Sequence, residues 1–480
     1  MFAIKKNIIR LLTIVLWIVL VPILTYVASL DLKIGVAMVV GIIGMAICLV
    51  CVINYKLGYY IFITITLILP LLERISGSSQ SVGVVMDGLL ISTLLGCILR
   101  RGDKSVKKVQ FMKDALLISF YLYTVLLIIQ IANPAGHRLL AWSIFFRVFA
   151  RNMIFLGIGL HVFNSMKDVR TFFKFWIAIC TAAAFYACLQ QWFGLMPYEK
   201  AFIAKYPKMF NTTIIISGIR IFSFMSDAAS FGIIMACNII ICLILLTAKL
   251  SNLGLKKKIL LIISTVLQGL ALAYSGTRTG YVMLPVGLML FLLATLRNRN
   301  TILIAIAFGF TGLVILFGPF HSNGTVIRIR TAFLGKQDAS MDVRDENRHR
   351  IQPYIYDHPL GGGLMTTGGN GQLFYPGHPV ANLQTDNGYL RAVLETGWLG
   401  VLLVAANFFL LISMAVRNYF RIDGEVNKLL MLGIAASMLE MALAQYAQDA
   451  STLVESSIML NALTAIAIKV KYLYALNTQS

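Results

Sequence analysis

Long apolar runs separated by short polar segments dominate this chain. A helix that crosses a membrane needs about 20 predominantly apolar residues. Only helices and closed barrels satisfy all of their backbone polar groups in lipid. The pattern therefore predicts an all-α polytopic membrane protein with about 12–14 transmembrane helices. The candidate spans are residues 9–29, 33–54, 57–72, 82–99, 114–132, 139–162, 172–194, 228–248, 257–274, 279–296, 301–319, 390–416, 428–448 and 455–472.

Composition agrees with this pattern. Of the 480 residues, 59% are hydrophobic and 13% are charged, whereas a soluble protein carries about 25% charged residues. The seven cysteines all lie in apolar runs, which argues against a disulfide framework or a zinc site built from loops. A soluble globular fold is therefore excluded.

Basic residues alternate between successive inter-span segments. Segments such as 100–108 and 256–258 are rich in Lys and Arg, while the short segments between them are poor in both. The positive-inside rule then predicts cytoplasmic N- and C-termini. The net charge of +21 reflects this bias and contact with anionic lipids, and it does not indicate nucleic-acid binding.

This topology predicts three regions. Residues 1–320 hold eleven spans with an outer loop at 195–227, residues 321–389 form a large outer loop containing short helices, and residues 390–480 hold the last spans. Both outer loops carry several basic residues. Arginines facing the outer membrane surface suit an anionic partner such as a phosphate or pyrophosphate.

The large outer loop is a polar island with four of the six histidines, His321, His349, His358 and His378. Their spacing matches no metal-ligand motif, so we expect no metal. No phosphate-binding loop or serine-hydrolase turn is present, and no cofactor is expected. The glycine run at 361–363 could let the backbone approach a ligand closely.

Three charged residues at predicted outer membrane edges are candidate functional groups. Asp227 precedes a span, where it would cap the first turn of the helix. Arg278 lies in the short turn SGTRTG at 275–280, which offers several anion donors; the alternative is an arginine snorkelling to the interface. Arg220 has no such local explanation.

Four pieces of the chain, in this order, resemble the O-antigen ligase/polymerase family of bacterial envelope glycosyltransferases. The resemblance extends over residues 215–400. The four pieces are the segment from Arg220 to Gly232, SGTRTG at 275–280, Arg348 and Arg350 through HPLGGG at 358–363, and DNGYL followed by ETGWLG at 386–400.

The resemblance implies an inverting, metal-independent transfer of glycan from undecaprenyl pyrophosphate on the outer face of the bacterial cytoplasmic membrane. Cations must gather where the charge of the pyrophosphate leaving group develops. Arg220 and Arg278 are the candidates for this role, with Arg348 or Arg350 assisting. The supporting residues implied are Asn387, Glu395 and Asp227.

The catalytic base is an open choice between two residues. Family ligases place a histidine before the asparagine of the fourth motif, and here Asp386 occupies that position. A carboxylate can serve as base when it is partly removed from water; the alternative is His378, eight residues upstream. Asp386 favours a repeat-unit polymerase of O-antigen or exopolysaccharide over a ligase.

Several alternatives and partners follow from the resemblance. The alternative functions are a ligase that transfers glycan to lipid A-core, a flippase or transporter for the lipid-linked glycan, and a structural partner in an envelope assembly. The expected partners are the lipid-linked glycan, an acceptor glycan or lipid A-core, membrane lipids and a chain-length regulator, with no nucleic acid.

Overall fold

The computed structural model describes residues 32–77, 82–100, 113–215, 218–296, 298–320, 323–334, 351–383 and 385–477, together with a few isolated positions before residue 32. These residues are mostly helical. The helices are α1 (Leu32–Ile53), α2 (Tyr55–Ser76), α3 (Val82–Leu99), α4 (Ala115–Ile129), α5 (Leu139–Val162), α6 (Met166–Phe193), α7 (Pro197–Lys205), α8 (Pro207–Thr213), α9 (Ala228–Leu246), α10 (Leu250–Leu253), α11 (Leu255–Ser275), α12 (Arg278–Thr295), α13 (Arg299–Phe317), α14 (Gly324–Leu334), α15 (Gly368–Phe374), α16 (Gly388–Arg421), α17 (Glu425–Ala447) and α18 (Val454–Asn477).

Five small elements complete the described residues. Strands β1 (Ile214–Ile215) and β2 (Gly218–Ile219) pair antiparallel, with Ile214 opposite Ile219. Residues 351–357 are helical. Short 3-10 turns follow α4 and α17, at Gln130–Ala132 and Ala450–Thr452.

The predicted fold class, an all-α polytopic membrane protein, is confirmed. Ten helices of the described ranges are long and apolar enough to cross a membrane, and residues 38–53 and 83–99 form shorter apolar helices. Most predicted spans agree with the helices to within a few residues. The span predicted at 57–72 was too short, because α2 continues through Arg74 to Ser76. The span predicted at 9–29 lies outside the described residues.

The chain divides into two compact units. The smaller comprises residues 1–62 and 87–101, and the larger comprises residues 63–86 and 102–480. In the smaller unit, α1 and α3 pack closely at Gly96, where a β-carbon would lie 2.8 Å from the carbonyl oxygen of Cys51.

Two helices form the centre of the larger unit. Helices α9 and α17 pack against each other, and both also contact α12. Almost every residue of α9 is buried, including polar Asn238 and Ser230. A helix that is apolar on all sides is expected in such a position, because it has no face to present to water.

One end of the larger unit gathers the polar connections, which we call the loop end: residues 130–138, 194–215, 218–227, 276–277, 358–383 and 448–453. Contacts tie these segments together across long sequence separations. Asn133 donates to the carbonyl oxygen of Gly361 at 2.9 Å, and Ser226 donates to Glu455 at 2.6 Å. The sequence predicts this end to be the outer one.

Helix α16 is broken at Gly397, and the HPLGGG segment fills the break. Gly397 has φ 72° and ψ −168°, a conformation that is accessible essentially only to glycine. Gly362 N donates to Leu394 O at 2.7 Å, and Trp398 N donates to Pro359 O at 3.1 Å. Backbone groups freed by the break are thus satisfied by protein, as the interior of a membrane requires.

Candidate active site

Arg220 lies just after β2, and its position is fixed by the backbone on both sides. Arg220 N donates to Thr213 O at 2.8 Å, and the next residue, Ile221, donates to Tyr274 O at 3.1 Å. The hairpin is thereby attached to the last turn of α11. The Arg220 guanidinium donates to the carbonyl oxygens of Ser275 and Thr212, both at 3.3 Å, and to Thr277 Oγ1 at 3.5 Å.

The SGTRTG turn, between α11 and α12, lies between two arginines. Gly276 adopts the left-handed conformation that ends α11. A β-carbon there would lie 2.9 Å from Arg328 Nη1 and 3.4 Å from Arg220 Cγ. A larger residue would therefore separate the two guanidinium groups from the turn, and glycine allows both to approach it.

Arg328, on α14, was not predicted as a site residue. Its side chain is only 8% exposed, and it donates to Ile219 O at 3.3 Å. Arg278, the first residue of α12, is exposed and follows Thr277, to which Arg220 donates. We call Arg220, Arg278 and Arg328 the arginine cluster.

The arginine cluster is an electropositive site assembled from three distant segments. Burial lowers the pKa of Arg220; nearby Arg328 and Arg278 act in the same direction, and Asp227 opposes them. Burial also lowers the pKa of Arg328. Arginine remains protonated in proteins, so the cluster gathers three positive charges around one turn. A bound oxyanion would relieve the repulsion among them.

Asp227 caps α9, as its position in the sequence predicts. Its Oδ1 accepts from Ala229 N at 2.7 Å and from Ser230 N at 2.8 Å. The side chain of Glu455, from α18, accepts from Ser226 N at 2.6 Å and from Ser230 Oγ at 2.8 Å. Two carboxylates therefore hold the first turn of α9. They follow directly on residues 220–226, which we call the Arg220 segment.

Arg74, near the end of α2, holds the segment between Arg220 and Asp227 through its backbone carbonyl groups. It is 2% exposed, and it donates to Ser223 O at 2.9 Å and also to Met225 O. Its guanidinium carbon lies 4.2 Å from the centre of the Phe222 ring. Arg74 is a positioning residue for the segment between Arg220 and Asp227, and the motifs of the sequence did not predict this role.

His378 lies in an aromatic cluster of the 358–383 segment. Its Nε2 is 3.4 Å from the hydroxyl oxygen of Tyr354, whose ring stacks on His358 at 4.0 Å. Burial lowers the pKa of His378, and His358 adds to that effect. Burial raises the pKa of Tyr354 to about 12. The histidine is therefore held in its neutral form, as a base must be.

Asp386 and Asn387 begin α16. The Asn387 side chain caps the helix, accepting from Tyr389 N at 2.9 Å and from Leu390 N at 3.0 Å. Asp386 is exposed. The partial removal from water expected of a carboxylate base is therefore not a property of the protein alone, and a bound substrate would have to supply it.

Glu395 is buried near the break in α16. It accepts from Thr367 Oγ1 at 2.7 Å, and Arg391 Nε lies 3.9 Å away. The HPLGGG glycines also pack here, because a β-carbon at Gly361 would lie 2.6 Å from Glu395 O. The glycine run at 361–363 was expected to let the backbone approach a ligand closely. Its close contact in the structure is with the backbone of α16.

Two predicted pyrophosphate ligands and the expected lack of a metal site are left to consider. Arg348 and Arg350 lie outside the described residues, so their role stays a prediction. Within the described ranges, no three His, Cys, Asp or Glu side chains form a group that could hold a metal ion. The structure brings Arg220 and Arg278 together and adds Arg328. The local pattern could not have revealed Arg328, since Val326, Ile329 and Phe333 recur at helical spacing on the opposite side of α14.

Comparison with known proteins adds one family match. Residues 263–405 match the family model described as O-antigen ligase. The matched range contains Arg278, Arg328, His378 and Asp386, while Arg220 precedes it. No curated protein matches the chain. The match supports the assignment of this chain to the O-antigen ligase/polymerase family, as its motifs predicted.

Proposed function

We propose that this chain is a glycosyltransferase of surface polysaccharide biosynthesis. It takes glycan from undecaprenyl pyrophosphate on the outer face of the bacterial cytoplasmic membrane and transfers it, with inversion and without a metal, to an acceptor glycan. The termini are then cytoplasmic and the loop end faces outward. The family match supports an enzyme of the O-antigen ligase/polymerase type.

The arginine cluster is the observation that carries the proposal. Three segments far apart in sequence place Arg220, Arg278 and Arg328 around one turn. Departure of the polyprenyl pyrophosphate leaves negative charge on its terminal oxygens, and fixed cations lower the energy of that step. The cluster surrounds the turn between α11 and α12, at one end of both helices, which favours an enzyme over a transporter that would carry the charge across the bilayer.

The proposed chemistry needs a base for the acceptor hydroxyl. That hydroxyl attacks the anomeric carbon, the bond to the pyrophosphate breaks, and the proton passes to the Asp386 carboxylate. We favour Asp386 over His378, and a polymerase over a ligase, because Asp386 directly precedes the helix-capping Asn387 in the motif where family ligases carry histidine. A chain-length regulator would then act on the same product.

The arginine cluster is tested by transfer from a lipid-pyrophosphate-linked repeat unit in reconstituted membranes. Replacing Arg220, Arg278 or Arg328 by Ala should each lower the rate by roughly 100-fold or more, the usual effect of removing one transition-state donor. Arg421→Ala, exposed at the far end of α16, should transfer at the normal rate. Unchanged rates in the Arg278→Ala and Arg328→Ala proteins would refute the site.

The base is tested in the same assay. Asp386→Asn should abolish transfer while leaving binding of the lipid-linked donor intact, and His378→Gln should retain most activity. The reverse result would make His378 the base. The glycan profile of a deletion strain separates the two enzyme types, because single-repeat products indicate a polymerase and stranded full-length polymer indicates a ligase.

A further inference from the structure

A cavity of about 330 Å³ lies between helices next to the loop end, and both apolar and polar side chains line it. Its walls come from α4, α5, α16 and α18, and residues of the loop end close it. This volume is at the lower limit of the usual range for small-molecule sites. None of the three residues of the arginine cluster lines it.

The charges in the cavity differ from those of the arginine cluster. Arg391 Nη1 forms an ion pair with Asp449, and its Nε lies 3.9 Å from Glu395. Within the described part of the chain, these are the only charged side chains that line the cavity. One cation thus faces two carboxylates, so the cavity disfavours a pyrophosphate and suits a neutral or amino-bearing ligand.

The walls carry groups that recognise hydroxyls. Asn152, Asn407 and Asn461, from three different helices, line the cavity. The amide oxygen of Asn407 is buried, and it has no hydrogen-bond partner among the described residues. A buried acceptor without a partner costs free energy, and a rotation of the amide into the cavity would bring this oxygen to a ligand hydroxyl. Tyr123 and Phe145 add aromatic faces.

The cavity also adjoins the start of α16. Gly388 lines it and follows Asp386 by two residues, so the two α-carbons are at most about 7 Å apart. A ligand in the cavity can therefore extend toward the proposed base. The start of α18 also links the two regions. Thr452, in the 3-10 turn just before this helix, lines the cavity, and Glu455, in its first turn, holds the Arg220 segment through Ser226.

We propose that this cavity binds the sugar of the acceptor glycan that carries the attacking hydroxyl. This inference rests on the proposed function, and it assigns the two substrates to two separate parts of the site. The arginine cluster takes the anionic pyrophosphate of the donor, and the amide-lined cavity takes the uncharged acceptor sugar. The polyprenyl chain is the competing occupant, since apolar side chains such as Phe149, Val404 and Leu411 also line the cavity. An isoprenoid would nevertheless leave the amides and the ion pair without a hydrogen-bonding ligand.

Steady-state kinetics with varied acceptor provide the first test. Asn407→Leu removes the amide while keeping a similar volume, and it should raise the acceptor KM by roughly 10-fold or more with the donor KM unchanged. Phe409→Leu, two residues away with a side chain that is 70% exposed, is the control and should change neither value. A raised donor KM, or no change in either KM, in the Asn407→Leu protein would overturn the proposal.

Photocrosslinking of the unaltered protein provides a test that needs neither turnover nor a stable variant. One probe is the repeat-unit glycan released from its lipid and labelled with a diazirine, and the other is undecaprenyl pyrophosphate labelled in its chain. Glycan adducts on α16 and α18 around Asn407 and Asn461 would support the proposal. Polyprenyl adducts there, or no glycan adducts, would overturn it. Lack of transfer by the unaltered protein would refute the proposed function separately.

Discussion

At the scale of single residues, the arginines of the loop end are oriented mainly by neutral oxygens. Arg220 donates to two backbone carbonyls and a hydroxyl, and Arg74 donates to carbonyls of the neighbouring segment. A carbonyl fixes a guanidinium without neutralising it, whereas a carboxylate would do both. Asp227 uses one carboxylate oxygen to cap α9. These contacts therefore orient the Arg220 guanidinium without neutralising it.

His378 should make the stability of the protein depend on pH. Burial and His358 lower its pKa below about 6.5, the value in an unfolded chain. The unfolded state then binds the proton more readily. The stabilising contribution is therefore present above pH 6.5 and is lost as the pH falls toward the folded pKa. Thermal unfolding in detergent should show a falling midpoint between pH 7.5 and pH 5.

A His378→Gln protein is the matched comparison, because glutamine keeps a polar side chain and does not titrate in this range. Its midpoint should fall less over the same interval. His137, exposed on the 130–138 loop, is the control, and His137→Gln should follow the unaltered protein. Equal slopes for all three proteins would contradict the assignment of this effect to His378.

At the scale of secondary structure elements, the break in α16 could be only partly predicted. ETGWLG contains glycines, but glycine within an apolar run is compatible with a continuous helix, and the predicted span ran through it. The break depends on Pro359 and Gly362, which lie more than thirty residues earlier and supply the backbone partners. Hydropathy has no information about that long-range pairing.

Gly397→Ala should destabilise the protein. Its φ of 72° is unfavourable for alanine, and a β-carbon would lie 2.0 Å from Pro359 O. We expect a loss of at least about 1–3 kcal/mol, the range for a residue held in a disfavoured conformation, measured as the thermal stability and yield of the purified protein. Gly369→Ala is the control, because no atom lies within 4 Å of its β-carbon position. Equal stability of the two variants would show that the segment can move away.

At the scale of the whole molecule, the helices could be predicted from hydropathy and the site could not. About 20 apolar residues are enough to identify a span. The same rule ended α2 too early, because Arg74 lies beyond the apolar run. The residue is nevertheless buried, and it donates to the carbonyl oxygens of Ser223 and Met225. The meeting of Arg220 with Arg328, and of Arg391 with Asp449, depends on packing between segments that no local pattern relates.

The bond between Glu455 and Ser226 has a consequence for the timing of biosynthesis. The two residues are 229 positions apart. A ribosome adding about 5–20 residues per second needs roughly 10–50 seconds to cover that distance. During that interval the Arg220 segment is already made, while the carboxylate that secures it is not. Under the proposed function, the nascent chain would meet lipid-linked glycan before it is able to process it, and transfer would begin only after α18 has joined the bundle.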